Sequence, residues 1–351
     1  MTQAAPSTQW KENVPAGEEA RHLGYAEALR TIQRGRAASG QTSRALHAKG
    51  YGVEGELTVL GDLPDHARAG LFAKPATYRA YVRYSNGDGR RQSDAKGDVR
   101  GLAVKVVGVE GKKVLPGMEQ EKTQDFLLIR TPAIPFRNAD EFVAVVTAAQ
   151  SSPLLVLPRI LGRLGIGRTF ELLPRIAKGM KSSMAPLATT PYFSAAPVCC
   201  GAYAVQYALV PHESSEPGVA GPTSTNGLRD DLARRLSKGP VVYDLRFRFY
   251  VDETRTPIED ASVEWKEGDS ASVTVARLTL PQQDLDRPRS KTIADYIEGL
   301  SFDPWHALEA HRPLGNIMRA RNQAYRLSTQ ERGAAKEPDG TERFDGEALS
   351  A

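Results

Sequence analysis

Four short stretches of this 351-residue sequence hold side chains whose types and spacing could do chemistry. Arg44-Ala45-Leu46-His47-Ala48-Lys49-Gly50 places an arginine three residues ahead of a histidine. Val82-Arg83-Tyr84-Ser85-Asn86-Gly87 puts an arginine and a serine on alternate positions. Gly97-Asp98-Val99-Arg100-Gly101-Leu102-Ala103-Val104-Lys105 follows it. Arg319-Ala320-Arg321-Asn322-Gln323-Ala324-Tyr325 sets Arg321 four residues before Tyr325, and Arg332 lies seven beyond that tyrosine. An imidazole changes charge near neutral pH and can take and return a proton. A guanidinium holds carboxylates in bidentate geometry. Arginine and tyrosine at i and i+4 of a helix can touch. Taken singly, each motif has a plainer reading: a histidine in a turn, polar side chains at a strand end, neighbours on a helix.

Composition narrows the chemistry. The two cysteines, Cys199 and Cys200, are adjacent, and the six histidines are spread over the chain. A disulfide framework and a Cys/His metal cage are therefore not expected. The cysteine pair reads as two small buried residues, with a redox pair as the alternative. A formal charge of +4 is mild for this length and does not point to nucleic acid. No apolar run approaches the roughly 18 residues of a membrane span, and the N-terminus has no secretory-signal pattern. The expectation is a soluble protein of a reducing compartment, the cytoplasm.

The positioning elements come from periodicity. Apolar residues at three- and four-residue steps predict a helix over 21–36. Period-two or continuous apolar runs predict strands at 55–60, 77–84, 102–107, 126–129, 203–210, 243–251 and 272–278. Seven or eight strands without a βαβ rhythm suggest an antiparallel barrel or sandwich. Helical pieces interrupt the pattern at 139–185, and a polar excursion follows at 213–240. The chain turns helical after Pro288, with one long helix over 318–331. The first 20 residues read as a loose arm and the segment after Gly333 as a mobile tail.

In this order the motifs resemble the haem catalase family. R-x-x-H-A-K-G is similar to the segment that carries the distal histidine of catalases, and R-Y-S-N to their arginine–aromatic–serine motif. D-x-R-G-x-A-x-K resembles the strand that follows it. Thr131-Pro132 with Phe136-Arg137 resembles the next strand, and R-x-x-x-Y the proximal haem-ligand motif. The resemblance covers about residues 40–335 and is closest to short, catalase-related peroxidases. It implies an α+β fold: an antiparallel eight-stranded barrel with a helical insert and C-terminal helices. The implied layout is an arm and helix over 1–39, a haem-binding barrel domain over 40–335 and a polar tail over 336–351. The insert lies near 139–185 and the proximal helix near 316–331.

The resemblance also assigns roles. The implied cofactor is haem b, with Tyr325 as the axial iron ligand, a known type. Arg321, one turn away, favours the phenolate. Arg44, Arg83 and Arg332 are the implied partners of the propionates, and Leu46 a further haem contact. His47 is implied as the distal acid and base, and Ser85 as the residue that orients it. The implied activity is that of a peroxidase using hydrogen peroxide or an organic hydroperoxide. A fatty-acid hydroperoxide isomerase or dehydratase of the allene oxide synthase type, or a barrel that binds haem without turnover, are the alternatives. The implied partners are a peroxide or lipid hydroperoxide and other copies of the chain.

One stretch departs from the family. Catalases carry Asn-Asn-Thr-Pro where this sequence reads Ile129-Arg130-Thr131-Pro132. The distal amide that helps hold hydrogen peroxide is thus missing, which puts rapid dismutation in doubt. Arg130 is expected to face outward, leaving Ile129 in the functional position. The basic, apolar stretch 154–181 has two readings. It can lie on a membrane surface, or it can cover the barrel with its cations in water, which is the preferred reading.

Overall fold

A computed structural model describes residues 3–40, 43–150, 152–181, 185–213 and 224–344. Nine strands form one antiparallel sheet: β1 (Gly50–Val59), β2 (Thr77–Asn86), β3 (Arg100–Val107), β4 (Thr123–Ile129), β5 (Tyr192–Phe193), β6 (Val198–Cys200), β7 (Tyr203–Pro211), β8 (Val241–Phe249) and β9 (Ser272–Leu280). Eight of them close into a barrel in the order β1-β2-β3-β4-β5-β7-β8-β9, and β6 hangs on β7. Two contacts complete the ring. β1 pairs with β9, Glu56 opposite Thr279 through Val59 opposite Ala276. The two-residue β5 bridges β4 and β7, with Ile129 opposite Phe193 and Tyr192 opposite Leu209. The eight-stranded barrel is as expected. The two- and three-residue strands β5 and β6 have no readable period, so the sequence did not announce them.

Side chains alternate between the two faces of the sheet. Ala80, Val82 and Tyr84, Leu102, Val104 and Val106, and Phe126 and Leu128 point into the barrel core with Tyr243, Leu245 and Phe247. Phe72 and Phe247 pack edge to face at 4.9 Å there. Each such side chain contributes roughly 1.5–3 kcal/mol on burial. The opposite face of β2–β4 carries the chemistry: Arg83, Ser85, Gly101 and Lys105 among small and apolar neighbours.

Six helices surround the barrel: α1 (Glu18–Ala38), α2 (Ala139–Ala148), α3 (Pro153–Lys181), α4 (Gly227–Lys238), α5 (Pro288–Gly299) and α6 (Asn316–Glu331). Ile293 and Ile297 of α5, followed by Leu300 and Phe302, make a second core with Tyr81 and Leu127; Ala103 and Tyr325 pack on it. This places α5 and α6 over the outer face of β2–β4. α4 falls inside the expected polar excursion, where Leu228, Leu232 and Leu236 are buried at i, i+4 and i+8. Residues 214–223 of that excursion lie outside the described residues.

Both ends differ from expectation. The arm is strapped down rather than loose. Ser7 donates its N–H to the Tyr250 carbonyl (2.8 Å), and the Trp10 indole donates to the Ala202 carbonyl (2.9 Å). Glu12 accepts from Arg312 and Arg319. Residues 334–344 are also held: the Glu337 side chain and Phe344 are buried, and Glu342 lies against Arg79 and Tyr81, while residues 345–351 lie outside the described residues. Polar composition misled in both places because these side chains find buried ionic partners.

Candidate active site

His47 ends the loop between α1 and β1 with a left-handed backbone (φ 60°), a conformation costing about 1 kcal/mol. The end of β2 holds the loop in that shape. The His47 and Ala48 N–H groups donate to the Gly87 and Asp88 carbonyls, and the Lys49 N–H donates to Asn86 Oδ1 at 2.9 Å. The turn lays the imidazole on the sheet, with Nδ1 3.0 Å from Ser85 Oγ. Gly101, opposite Ser85 on β3, makes room: a Cβ there would stand 2.9 Å from Ser85 Oγ and 3.4 Å from His47 Cε1. Removal from water, then the charge of Arg83, lowers the His47 pKa to about 4, so the ring is neutral at pH 7. Gly101→Ala is expected to push on the hydroxyl and the ring together. The rate of any His47-dependent step should fall roughly tenfold or more while the melting temperature barely moves, as misplacement by a fraction of an ångström suffices.

The predicted arginines converge at the C-terminal end of α5. Arg83 donates through Nε to Glu298 Oε2 at 2.8 Å and through Nη2 to the His47 carbonyl at 2.9 Å. A Cβ on Gly50 would lie 2.5 Å from that Nη2, so only glycine leaves Arg83 its path across β1. Arg44 donates to Glu298 Oε1 at 3.0 Å and to its backbone carbonyl at 2.8 Å. Arg332, just past α6, donates to the Gly299 and Leu300 carbonyls. Three guanidinium groups thus meet one carboxylate and a helix C-terminus, where cations are favoured. Nothing in the sequence marked Glu298, a lone acid at a helix end. Leu46 lies partly buried in the His47 loop.

Across the site, Arg321 Nη2 donates to the Tyr325 hydroxyl at 2.9 Å, as their spacing predicts. α6 is fixed at its N-terminal end. Glu12, Glu18 and Glu259 grip Arg319 at its start, and the Trp305 indole donates to the Met318 carbonyl at 2.7 Å. The charges of Arg321 and Arg44 also act on His47.

Of two further groups, Arg130 differs from the sequence reading and the cysteine pair agrees with it. Arg130 is buried rather than outward: it shares the barrel-interior parity of Leu128 and packs on the Tyr192 ring at 5.6 Å. It therefore cannot replace the distal amide. Ile129, with the parity of Leu127 and paired with Gly101, takes the site face. Cys199 and Cys200 are buried free thiols, and burial pushes them up to about 11 and about 12, which keeps both protonated.

Asp125, His306 and Glu337 have the spacing of metal ligands. Lys105 Nζ already fills that seat, 2.7 Å from Asp125 and 2.6 Å from Glu337. Burial works against a charged His306, yet its hydrogen bonds to Asp125 and Glu337 raise it to about 9. Two cations and two anions balance, so this is an internal ion cluster behind α6 rather than a metal centre.

The donor set fits haem. A phenol is aimed by a guanidinium, an imidazole has one nitrogen anchored, and the small residues Gly101 and Ala103 share one face of β3. Comparisons with known proteins decide the family. The family model described as catalase matches residues 21–155. A catalase-related peroxidase of Mycolicibacterium paratuberculosis (strain ATCC BAA-968 / K-10) is 29% identical over 325 residues, covering 84% of this chain and 92% of that protein. The chain is a member of the catalase-like superfamily. Catalase C of Rhizobium meliloti (strain 1021) is 42% identical to this catalase-like chain over 76 residues, 21% of this chain and 11% of that one. The structure of a bacterial catalase superposes with a TM-score of 0.64 at 16% identity, over 94% of this chain. The catalase-like chain spans 63% of that catalase's length.

Proposed function

We propose that this chain is a haem-dependent, peroxide-using oxidoreductase of the peroxidase type. The observation that carries the reading is His47, held by Ser85 and neutral at pH 7, opposite Tyr325 held by Arg321. Tyr325 is the proposed iron ligand, and Arg44, Arg83 and Arg332 the proposed partners of the haem b propionates. Bound haem supplies the iron at which a peroxide O–O bond is broken. His47 Nε2 would take a proton from a peroxide held there and return it to the oxygen that departs. Ser85 keeps the ring from turning during that transfer. Glu298 holds Arg44 and Arg83 in line for their carboxylate partners, and Arg83 in turn fixes the His47 loop.

The substrate class follows from Ile129. An isoleucine on the site face, with Arg130 turned into the barrel, leaves the distal side apolar and without an amide donor. An organic hydroperoxide, whose carbon chain gains from such a surface, is favoured over hydrogen peroxide.

Expression with a haem precursor, followed by a visible spectrum with and without cumene hydroperoxide, tests this. A Soret band that responds to hydroperoxide, with donor oxidation and little oxygen release from hydrogen peroxide, is the expected result. A purified protein with no haem absorbance would sink the reading. Consumption of a fatty-acid hydroperoxide without any donor would move it to the isomerase or dehydratase alternative.

The pH dependence follows from His47. The base form is present above its pKa of about 4, well below the 6.5 of a free histidine. The acidic limb of the kcat/KM profile should therefore lie near pH 4. A limb near 6.5 would show that burial and Arg83 do not lower the His47 pKa, and loss of the limb in His47→Ala identifies the base.

A further inference from the structure

Eight large apolar side chains are exposed among the described residues, and six of them sit on α3: Leu154, Leu155, Leu157, Ile166, Phe170 and Leu173. Their exposure is high, 87% for Leu154, 71% for Ile166 and 63% for Phe170. The pattern is ordered. Ile166, Phe170 and Leu173 fall at i, i+4 and i+7, one stripe of a helix. Ile160, Thr169 and Leu172 point the other way and are buried. Gly165, with a left-handed φ of 77°, separates the two helical halves, each with an apolar outer side.

The charged side chains do not follow the usual division. Arg168, which an ordinary surface helix would send to water, turns inward to Glu141 and Glu171, at 2.7 and 2.8 Å. Glu171 is shared again with Arg175 at 2.8 Å. It is the single acid among residues 153–181, against six lysines and arginines. Arg159, Arg163 and Arg175 are exposed beside the apolar stripe. The expected cations in water and covered apolar residues are present, but a second apolar set is exposed beside those cations.

We propose that the outer face of α3 docks on an anionic lipid bilayer, lying in its surface. Contiguous exposed apolar patches on soluble proteins mark contact sites. A helix with an apolar face and flanking cations has the chemistry of a headgroup–acyl boundary. The same face of a second copy fits less well, because a two-fold contact would set these arginines against their own copies. Among the described residues no helix is long and apolar enough to cross a membrane, so the contact is with the surface. This inference goes beyond the peroxide chemistry and does not depend on it.

Flotation of the full chain with unilamellar vesicles tests it. One set is phosphatidylcholine alone and the other an equimolar mixture with phosphatidylglycerol. Binding to the mixed vesicles, weakened by added salt, is expected, with little on phosphatidylcholine. Ile166→Asp with Phe170→Asp should weaken vesicle partitioning by more than roughly tenfold, since each buried side chain of this size is worth about a decade. Both residues are exposed, so the circular dichroism spectrum and melting temperature should stay as in the wild type. Equal partitioning of wild type and variant, or no binding to the mixed vesicles, overturns the proposal. So does sedimentation showing an oligomer that the double substitution dissociates without any vesicle binding, because the face would then belong to a second copy.

Discussion

His47→Ala is expected to lower hydroperoxide turnover by a factor of about 10²–10⁴, the usual contribution of a positioned proton carrier. The haem content should stay at the wild-type level. The ring contributes no ligand to the proposed cofactor; it contributes one nitrogen to Ser85, 3.0 Å away, and one to the reactant. Haem loading and proton transfer are thus carried by opposite sides of the site. Tyr325→Phe should do the reverse. It removes the hydroxyl that Arg321 holds at 2.9 Å, and the Soret band should shift or vanish before any rate is measured. Comparing the two variants by spectrum and by rate separates the roles. A His47→Ala protein that keeps its full rate would show that the proton moves through another group.

The second large effect is on stability. Lys105→Met should cost about 3–5 kcal/mol of unfolding free energy, the range for breaking a buried ion pair from one side. Lys105 and Asp125 are fully buried, and Glu337 nearly so. Without the ammonium the two carboxylates face each other across a site closed to water, with only His306 to offset them. Urea denaturation of both proteins at pH 7 measures the difference, and a loss under about 1 kcal/mol would mean the cluster rearranges or takes in water.

The same cluster gives stability an alkaline limit. His306 is raised to about 9 in the folded chain, against 6.5 when unfolded. Its contribution is complete below 6.5 and is lost as pH rises towards 9. Glu337 works at the other end. Burial pushes its pKa up, but Lys105 and His306 overrule that and hold it well below the usual carboxylate range. Its contribution is present above the ordinary glutamate pKa and is lost as pH falls. Unfolding free energies measured from neutral to alkaline pH should decline in the wild type and stay flatter in His306→Gln.

What the sequence disclosed depended on how local the signal was. The long strands show because alternation is a property of neighbours: Tyr81, Arg83 and Ser85 take one face and Val82 and Tyr84 the other. Arg321 and Tyr325 show for the same reason, since one helical turn fixes their contact. Glu298 does not show, because its meaning comes from Arg44 and Arg83, which reach it from distant parts of the chain. Arg130 was set outward because its neighbour Ile129 took the functional position, although strand parity with Leu128 places it inside the barrel. The arm and the last described segment looked mobile because their polar residues pair with buried partners that no window of sequence contains. Composition gave α3 its cations and its leucines but not their direction.

The pairing of β1 with β9 has a consequence for the order of events in biosynthesis. His47 and Arg44, in the loop before β1, and Arg83, on β2, are made early. Glu298, Arg321, Tyr325 and Arg332 emerge only after the strand that closes the ring. A nascent chain holds the first group long before it has the second, and ring closure between remote strands is a slow, non-local step. The last residues of the site are therefore made only after every strand of the barrel has been synthesised.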